Sequence, residues 1–148
     1  MPTVTSDAWT MALPDDWEQK ETTESGSLCF ECVDGSKGLF VTTWDLGTES
    51  SRTPRDVASA FQRMSAAALD KMDGYTWKLV AEHILPADVA SAVLVSDHVA
   101  PANSYRIVTK ILARPPVVIR ASFHDYLCED YAASVAYFSP ILESLVLK

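Results

Sequence analysis

The alternation of apolar and polar residues predicts two strands, a long helix, four more strands and a closing helix. The first two strands span 27–33 and 39–44 and flank a turn over 34–38, so they form a hairpin. The later strands span 75–85, 89–98, 105–114 and 117–126, and the closing helix spans 129–147. Strands joined by short turns pair antiparallel. The pattern therefore predicts an α+β fold with an antiparallel sheet of about six strands flanked by helices.

The long helix has the clearest boundaries. Thr53 suits the N-cap, Pro54 suits the first helical position, and Asp56 places a negative charge near the helix N-terminus. Asp73 and Gly74 end the helix. Helical spacing predicts that one apolar stripe packs on the sheet, formed by Val57, Phe61, Met64, Ala68 and Met72.

The closing helix contains a proline. Pro140 lacks a backbone N–H and its ring clashes with the preceding turn of a helix. We therefore expect either a kink at this position or a second short helix capped by Ser139.

The two strands that flank Pro115 and Pro116 carry apolar residues at odd positions and cations at even positions. The cations are Arg106, Lys110, Arg114 and Arg120. If the odd residues share one face, Ile111 lies opposite Ile119, and Lys110 then lies opposite Arg120.

Two arrangements would compensate the positive charges of Arg106, Lys110 and Arg120. Carboxylates of an adjacent strand, such as Glu82 or Asp97, neutralise it, which is the arrangement we favour. Alternatively the stripe faces outward and meets an acidic partner.

Composition and charge narrow the class of protein. With 148 residues and 48% hydrophobic residues, the chain suits one globular domain over 1–148. The net charge of -8 repels phosphate backbones, which argues against general nucleic-acid binding. Residues 1–56 hold 11 acidic and 4 basic side chains, so the acidic excess is concentrated there.

The chain shows neither a secretory signal nor a stretch of about 18 apolar residues. We therefore expect a cytoplasmic protein without membrane insertion. The odd number of cysteines fits free thiols in a reducing compartment. Cys29 and Cys32 have C-x-x-C spacing, but residues three apart on a strand point to opposite faces, so we expect neither redox nor metal chemistry from them.

No catalytic or cofactor motif is recognised. The sequence has no zinc spacing, P-loop, dinucleotide-binding loop or nucleophile elbow, so no metal ligand, cofactor or catalytic residue is predicted. Asp97 and His98 are neighbours on a predicted strand and should face opposite ways. A small hydrolase with an unrecognised site stays an alternative.

Three of the four tryptophans lie in the acidic first third. Their rings are either core residues or part of a partner surface. For the second interpretation, the candidate partner-binding residues are Trp9, Asp15, Asp16, Trp17 and Trp44.

Two short motifs and the order of elements resemble the PsbP-like fold. The motifs are Leu13-Pro14-x-x-Trp17 and the closing Ile141-Leu142-x-Ser144-Leu145. That fold is shared by a photosystem oxygen-evolving subunit, a yeast Ran-release factor and bacterial DcrB-type proteins. The resemblance implies an α/β/α sandwich. It also implies a non-enzymatic role, since proteins of this fold mostly bind other proteins.

Within the cytoplasmic branch, the chain is similar to bacterial chaperones of type VI secretion effectors. These chaperones are of similar length, acidic and often dimeric. The resemblance implies an adaptor or chaperone that binds a secreted effector and has the option of forming a homodimer. The alternative is an immunity protein that neutralises a toxin by direct binding, because the same genomic neighbourhoods encode small acidic immunity proteins.

Overall fold

The computed structural model describes residues 1–47, 52–86 and 88–148. The elements in chain order are β1 (Thr3–Thr5), β2 (Trp9–Ala12), β3 (Trp17–Lys20), β4 (Ser27–Cys32), β5 (Lys37–Asp45), α1 (Pro54–Asp70), β6 (Lys78–Pro86), β7 (Ala92–Ala100), β8 (Tyr105–Arg114), β9 (Val117–Asp125), α2 (Tyr131–Ser144) and β10 (Val146–Leu147). Neither described helix is long and apolar enough to span a bilayer.

A seven-stranded antiparallel sheet forms the middle layer. Its strand order is β3-β4-β5-β9-β8-β7-β6. Helix α1 packs on one face, mainly against β7 and β8, and α2 packs on the other face beside a small sheet of order β1-β2-β10. We call these the α1 face and the α2 face. The predicted α+β class, with an antiparallel sheet flanked by helices, is confirmed.

The small sheet and β3 were not predicted as strands. The predicted closing helix includes residues 146–147, which instead form β10, and β2 pairs with both β1 and β10. Strands of two to four residues are too short to show an alternating pattern, and their pairing partners are distant in sequence. Their formation depends on the tertiary fold.

Helix α1 begins as predicted, but its buried stripe differs. Thr53 Oγ1 accepts a hydrogen bond from the backbone N–H of Asp56 at 3.1 Å. Val57 and Phe61 are buried, whereas Met64 is 58% exposed. The buried positions are Val57, Ala58, Phe61 and Gln62. The predicted packing of Met64 and Ala68 is therefore wrong, because the second half of α1 lies over polar side chains of the sheet.

The hairpin register differs from the predicted one by one residue. Pro115 and Pro116 form a two-residue turn that leaves Arg114 opposite Val117. Lys110 consequently lies opposite Ala121, and Ile111 lies opposite Arg120. A shift of one residue exchanges the two faces of a strand. Lys110 therefore lies on the α2 face and Arg120 on the α1 face, so the predicted single stripe of cations does not exist.

The α2 face holds the larger hydrophobic core. Rings from β2, β3, β4, β9 and α2 pack there with aliphatic side chains of β5, β8 and β9. The largest fully buried side chains of this cluster are Trp9, Phe123, Phe138, Met11, Leu39, Ile119, Ile141 and Leu145. Burial of this much apolar surface supplies most of the favourable free energy of folding.

Helix α2 runs through Pro140 as one helix. Asp130 caps its N-terminus by accepting a hydrogen bond from the N–H of Ala133 at 3.2 Å. Ser139 lies inside the helix and its Oγ donates to the carbonyl of Val135 at 2.7 Å. A second helix capped by Ser139, one of the two predicted outcomes, is therefore wrong.

Two buried cations of β8 hold α2 on the sheet. Arg106 donates to both carboxylate oxygens of Asp97 at 2.9 Å, and its Nη1 donates to Ser134 Oγ of α2 at 3.0 Å. Lys110 Nζ donates to the carbonyls of Leu142 at 2.5 Å and Leu145 at 2.9 Å. Neutralisation by a carboxylate of the adjacent strand is thus confirmed for Arg106, and Lys110 is satisfied by the C-terminal end of α2.

We expect Phe61→Ala to lower the free energy of unfolding by about 3–5 kcal/mol, because its ring is 7% exposed and packs in the core under α1. Met64→Ala should cost less than about 1 kcal/mol, because that side chain is mostly exposed. Urea denaturation of both variants measures the difference. Equal losses would contradict the observed stripe.

We expect Arg106→Met to destabilise the protein by about 3–5 kcal/mol, because it leaves Asp97 buried without its cation. The exposed pair Lys20–Glu18 provides a control, and Lys20→Met should change stability by less than about 1 kcal/mol. In chemical denaturation, the double variant Arg106→Met/Asp97→Leu should recover part of the loss. A single variant as stable as the wild type would show that the pair does not hold the fold.

Candidate functional site

The five predicted partner-binding residues do not form one surface. Trp9 and Trp17 are 1% and 9% exposed, and Trp17 Nε1 donates to Tyr137 Oη at 2.8 Å. Both rings are core residues, and their role in partner binding stays a prediction. Trp44 lies under α1 against Phe61, with ring centroids 4.8 Å apart. Asp15 and Asp16 are exposed in the turn before β3, and their role in partner binding stays a prediction.

The cysteines diverge as predicted. Cys32 belongs to the core of the α2 face, whereas Cys29 lies on the α1 face opposite Phe40. The Cys32 thiol donates to Asp34 Oδ1 at 2.8 Å. Hydrogen bonds from Cys32 and Ser36 hold the pKa of the exposed Asp34 carboxyl below its usual range. Within residues 1–47, 52–86 and 88–148, no group of three or more metal-ligating side chains comes together.

A cluster of six aromatic side chains lies on the α1 face near the start of β8. Four segments contribute to it, and the members, called the aromatic patch, are Phe40, Tyr75, Trp77, Tyr105, His124 and Tyr126. The ring of Tyr105 is central, with centroid distances of 5.0 Å to Trp77, 5.3 Å to Tyr126 and 5.7 Å to Tyr75. Phe40 meets His124 edge-on at 5.2 Å. Such contacts hold the rings in fixed orientations.

One of these rings packs against a glycine of the sheet. Tyr126 lies over Gly38 of β5, and its Oη is 2.8 Å from the position that a Cβ at residue 38 would occupy. Any side chain at residue 38 would displace the ring. The absence of a side chain at Gly38 therefore leaves the space that the Tyr126 ring of the aromatic patch occupies.

Hydrogen bonding and burial keep the titratable groups of the aromatic patch neutral. Tyr105 Oη and His124 Nδ1 are 2.6 Å apart. Burial raises the pKa of Tyr105 and lowers the pKa of His124 to about 4. At neutral pH both groups are therefore uncharged, and the imidazole tautomer decides which of the two donates this hydrogen bond.

A groove opens at the same end of the sheet. It has a volume of about 410 Å³, and it is lined by Val80, Val99, Pro101, Ser104, Tyr105, Cys128, Glu129 and Tyr131. Tyr131, which lines the groove, donates from its Oη to Asp97 Oδ2 at 2.6 Å. This hydrogen bond connects the groove with the buried pair of Asp97 and Arg106. Burial raises the pKa of the Cys128 thiol, which disfavours the reactive thiolate. The groove is suited to binding an apolar group.

The aromatic patch was missed in the sequence because no single segment indicates it. Tyr75 and Trp77 are two residues apart, as are His124 and Tyr126, which is the spacing of side chains on one face of a strand. The two pairs come together only through the pairing of β9 with β8 and the return of the chain after α1. The strand spacing was the one available signal.

Comparison with known structures shows the fold. The solution structure of cyanobacterial PsbP (CyanoP) from Synechocystis sp. PCC 6803 matches with a TM-score of 0.71 over 99% of this chain and 92% of that chain, at 14% identity. A crystal structure from Bacteroides thetaiotaomicron VPI-5482 matches with a TM-score of 0.50 over 95% of this chain and 45% of that chain, also at 14% identity. The chain therefore has a PsbP-like fold, as its resemblance implied.

No family model matches the sequence, and no curated protein matches it. The DcrB-type and type VI secretion assignments therefore rest on the sequence resemblance alone. At 14% identity, the two structural matches carry information about architecture and none about the aromatic patch.

We expect acidification to destabilise the protein partly through His124. The folded pKa of about 4 lies below the ordinary value of 6.5, so the unfolded chain binds the proton more tightly. Stability that is fully present above pH 6.5 is lost as the pH falls toward 4.

His124→Gln should remove about 2 kcal/mol of the stability lost between about pH 7 and pH 5. Urea unfolding of wild type and variant at both pH values measures this difference. His98, whose pKa is also lowered by burial, contributes equally to both proteins. An identical pH dependence in the two proteins would contradict the assignment.

Proposed function

We propose that the protein acts without catalysis, by binding another protein through the aromatic patch. The observation that supports this proposal is a set of six contacting rings on a sheet face that α1 only partly covers. Phe40 is 42% exposed and Tyr75 is 37% exposed, so apolar ring surface is available to a partner. Aromatic side chains held in fixed orientations supply much of the binding energy at protein interfaces.

The charges beside the aromatic patch favour a basic partner. Glu31 of β4 lies on the α1 face opposite Gly38, and Glu18 of β3 lies beside it in an exposed ion pair with Lys20. The charge of Glu31 contributes to the raised pKa of Tyr126, after the larger effect of burial. Carboxylates next to exposed rings suit lysine and arginine side chains, which bind both by charge and by cation–π contact. The net charge of -8 extends this attraction over a longer range.

The chemistry of the aromatic patch also favours binding over catalysis. Its imidazole and its most buried phenol are neutral at pH 7 and hydrogen-bonded to each other. The nearby Cys128 thiol is shifted away from the thiolate. General bases and nucleophiles need pKa values near the working pH, which these groups lack.

Among protein-binding roles, we propose that of a cytoplasmic adaptor or chaperone for a type VI secretion effector, acting alone or as a homodimer. The sequence resemblance supports this role. The carboxylates beside the aromatic patch support the alternative of an immunity protein, because an acidic surface complements a basic toxin cleft. The two roles differ in whether apolar contact or long-range charge dominates association.

The proposal is tested with the purified products of the neighbouring open reading frames. For a product that binds, Phe40→Ala should raise Kd by about tenfold or more, because loss of an interface ring typically costs at least about 2 kcal/mol. Val146→Ala is the matched control, since this side chain is 49% exposed on the opposite side of the sheet. Equal Kd values for wild type and Phe40→Ala would contradict binding through the aromatic patch.

Association rates separate the two roles. For an immunity protein, the on-rate should fall between roughly 0.05 and 0.5 M salt, because the Debye length shortens about threefold over this range. Asp15→Lys combined with Asp16→Lys should slow association in the same way. An on-rate that neither change alters would favour the adaptor or chaperone role and exclude the electrostatic mechanism.

A further inference from the structure

A small cavity lined by both polar and apolar side chains lies between the second half of α1 and the sheet. Its volume is about 120 Å³. Each packed element contributes one hydroxyl to the lining, namely Ser65 of α1, Ser96 of β7, Thr109 of β8 and Ser122 of β9. The cavity lies under the half of α1 that lacks a buried apolar stripe.

Small side chains keep this space open. Gln62, the last buried residue of α1, accepts a hydrogen bond from Ser96 Oγ at 2.8 Å. One turn further along the helix, Ser65 and Ala68 face the sheet across the cavity. Neither is long enough to fill the gap, and three of the sheet residues below them are short as well, namely Ser96, Thr109 and Ser122.

Arg120 places a positive charge in the wall of the cavity. Its Nη1 donates to Ser65 Oγ at 3.3 Å, and its guanidinium lies 5.0 Å from the ring of Trp44. A guanidinium has five N–H donors, and only this one has a side-chain acceptor in the described part of the chain. The described ion pairs are Lys20–Glu18 and Arg106–Asp97, so the carboxylate whose charge acts on Arg120, that of Glu24, lies beyond 4 Å.

Two imidazoles complete the lining with donor groups. His98 and His124 both border the cavity. Burial lowers the pKa of each, so both rings are neutral at pH 7 and each carries one N–H. In His124, Nδ1 is engaged with Tyr105 Oη at 2.6 Å, so Nε2 is the nitrogen left to interact with a ligand.

We propose that this cavity binds a free tetrahedral oxyanion of the phosphate and sulfate class. The side chains around it can supply the positive charge of Arg120 and the hydroxyls of Ser65, Thr109 and Ser122, whereas a cation would meet no described carboxylate in the lining. The volume of about 120 Å³ is several times the roughly 30 Å³ that one water molecule occupies in the liquid, so the cavity has room for such an ion.

The charge of the whole chain sets the expected strength of binding. A net charge of -8 opposes an approaching anion, so recognition depends on short-range contacts with Arg120 and the hydroxyls. Hydrogen bonds to a charged ligand are each stronger than neutral ones, which makes Arg120 the main determinant.

The test is a titration of the ¹⁵N-labelled full chain with sodium phosphate at pH 7, followed by NMR, with sodium chloride at matched ionic strength as reference. We expect saturable shifts of the amides of Ser65, Ser96, Thr109 and Ser122 with phosphate and with sulfate. Arg120→Gln should weaken binding about tenfold or more, since one charged hydrogen bond accounts for that factor. Arg63→Gln, which removes the same charge from the exposed side of α1, should leave binding unchanged.

A second variant keeps the test decisive if Arg120→Gln fails to fold. Thr109→Val combined with Ser122→Ala retains the guanidinium and removes two hydroxyls, and it should also weaken phosphate binding. Shifts that chloride reproduces, shifts that do not saturate, or equal weakening by Arg63→Gln and Arg120→Gln would overturn the proposal and leave a water-filled cavity. The measurement uses no protein partner, so its outcome is independent of the role of the aromatic patch.

Discussion

The placement of α2 depends on two cations that alternate with apolar residues along β8. Arg106 and Lys110 are four residues apart, which is about 13 Å along a strand. Their partners on the helix, Ser134 and Leu142, are eight residues apart, which is about 12 Å along an α-helix. The matched spacings let one strand hold both ends of α2. The core rings of α2 are thereby held against the sheet.

The buried pair of Arg106 and Asp97 matters more for register than for net stability. Removing two charges from water costs about as much as their attraction returns. A shift of β8 by one residue, however, would move Arg106 to the other face and leave Asp97 buried without a cation. The pair thus makes the alternative register costly, and the same shift would separate Lys110 from the carbonyls at the end of α2.

The sequence was informative where a local pattern decides the structure. The cap at Thr53, the strands on both sides of Pro115 and Pro116, and the opposite orientation of Cys29 and Cys32 all follow from residues near one another in the chain. The hairpin register was wrong because alternation alone does not reveal how many residues the turn uses. Met64 was misplaced for a related reason, since a helix pattern does not show that the sheet below is polar.

The candidate functional surface could be predicted least. The aromatic patch is assembled from four separate segments, and Arg120 reaches the cavity only because the register differs from the predicted one. In contrast, the tryptophans that are conspicuous in the sequence serve the core, as the burial of Trp9 and Trp17 shows. The tryptophans, which stand out in the sequence, therefore stabilise the core. The exposed rings belong to residues that no sequence motif marks.

The contact between Gly38 and Tyr126 couples two positions that are 88 residues apart. The hydroxyl of Tyr126 is the atom closest to a Cβ at residue 38, and the ring carbons behind it are at 3.3 and 3.4 Å. An alanine at residue 38 would therefore be accommodated more readily beside phenylalanine than beside tyrosine at residue 126. Among sequences of this fold that retain the same surface, the two positions should covary, with a larger residue on β5 accompanied by a shorter one after β9.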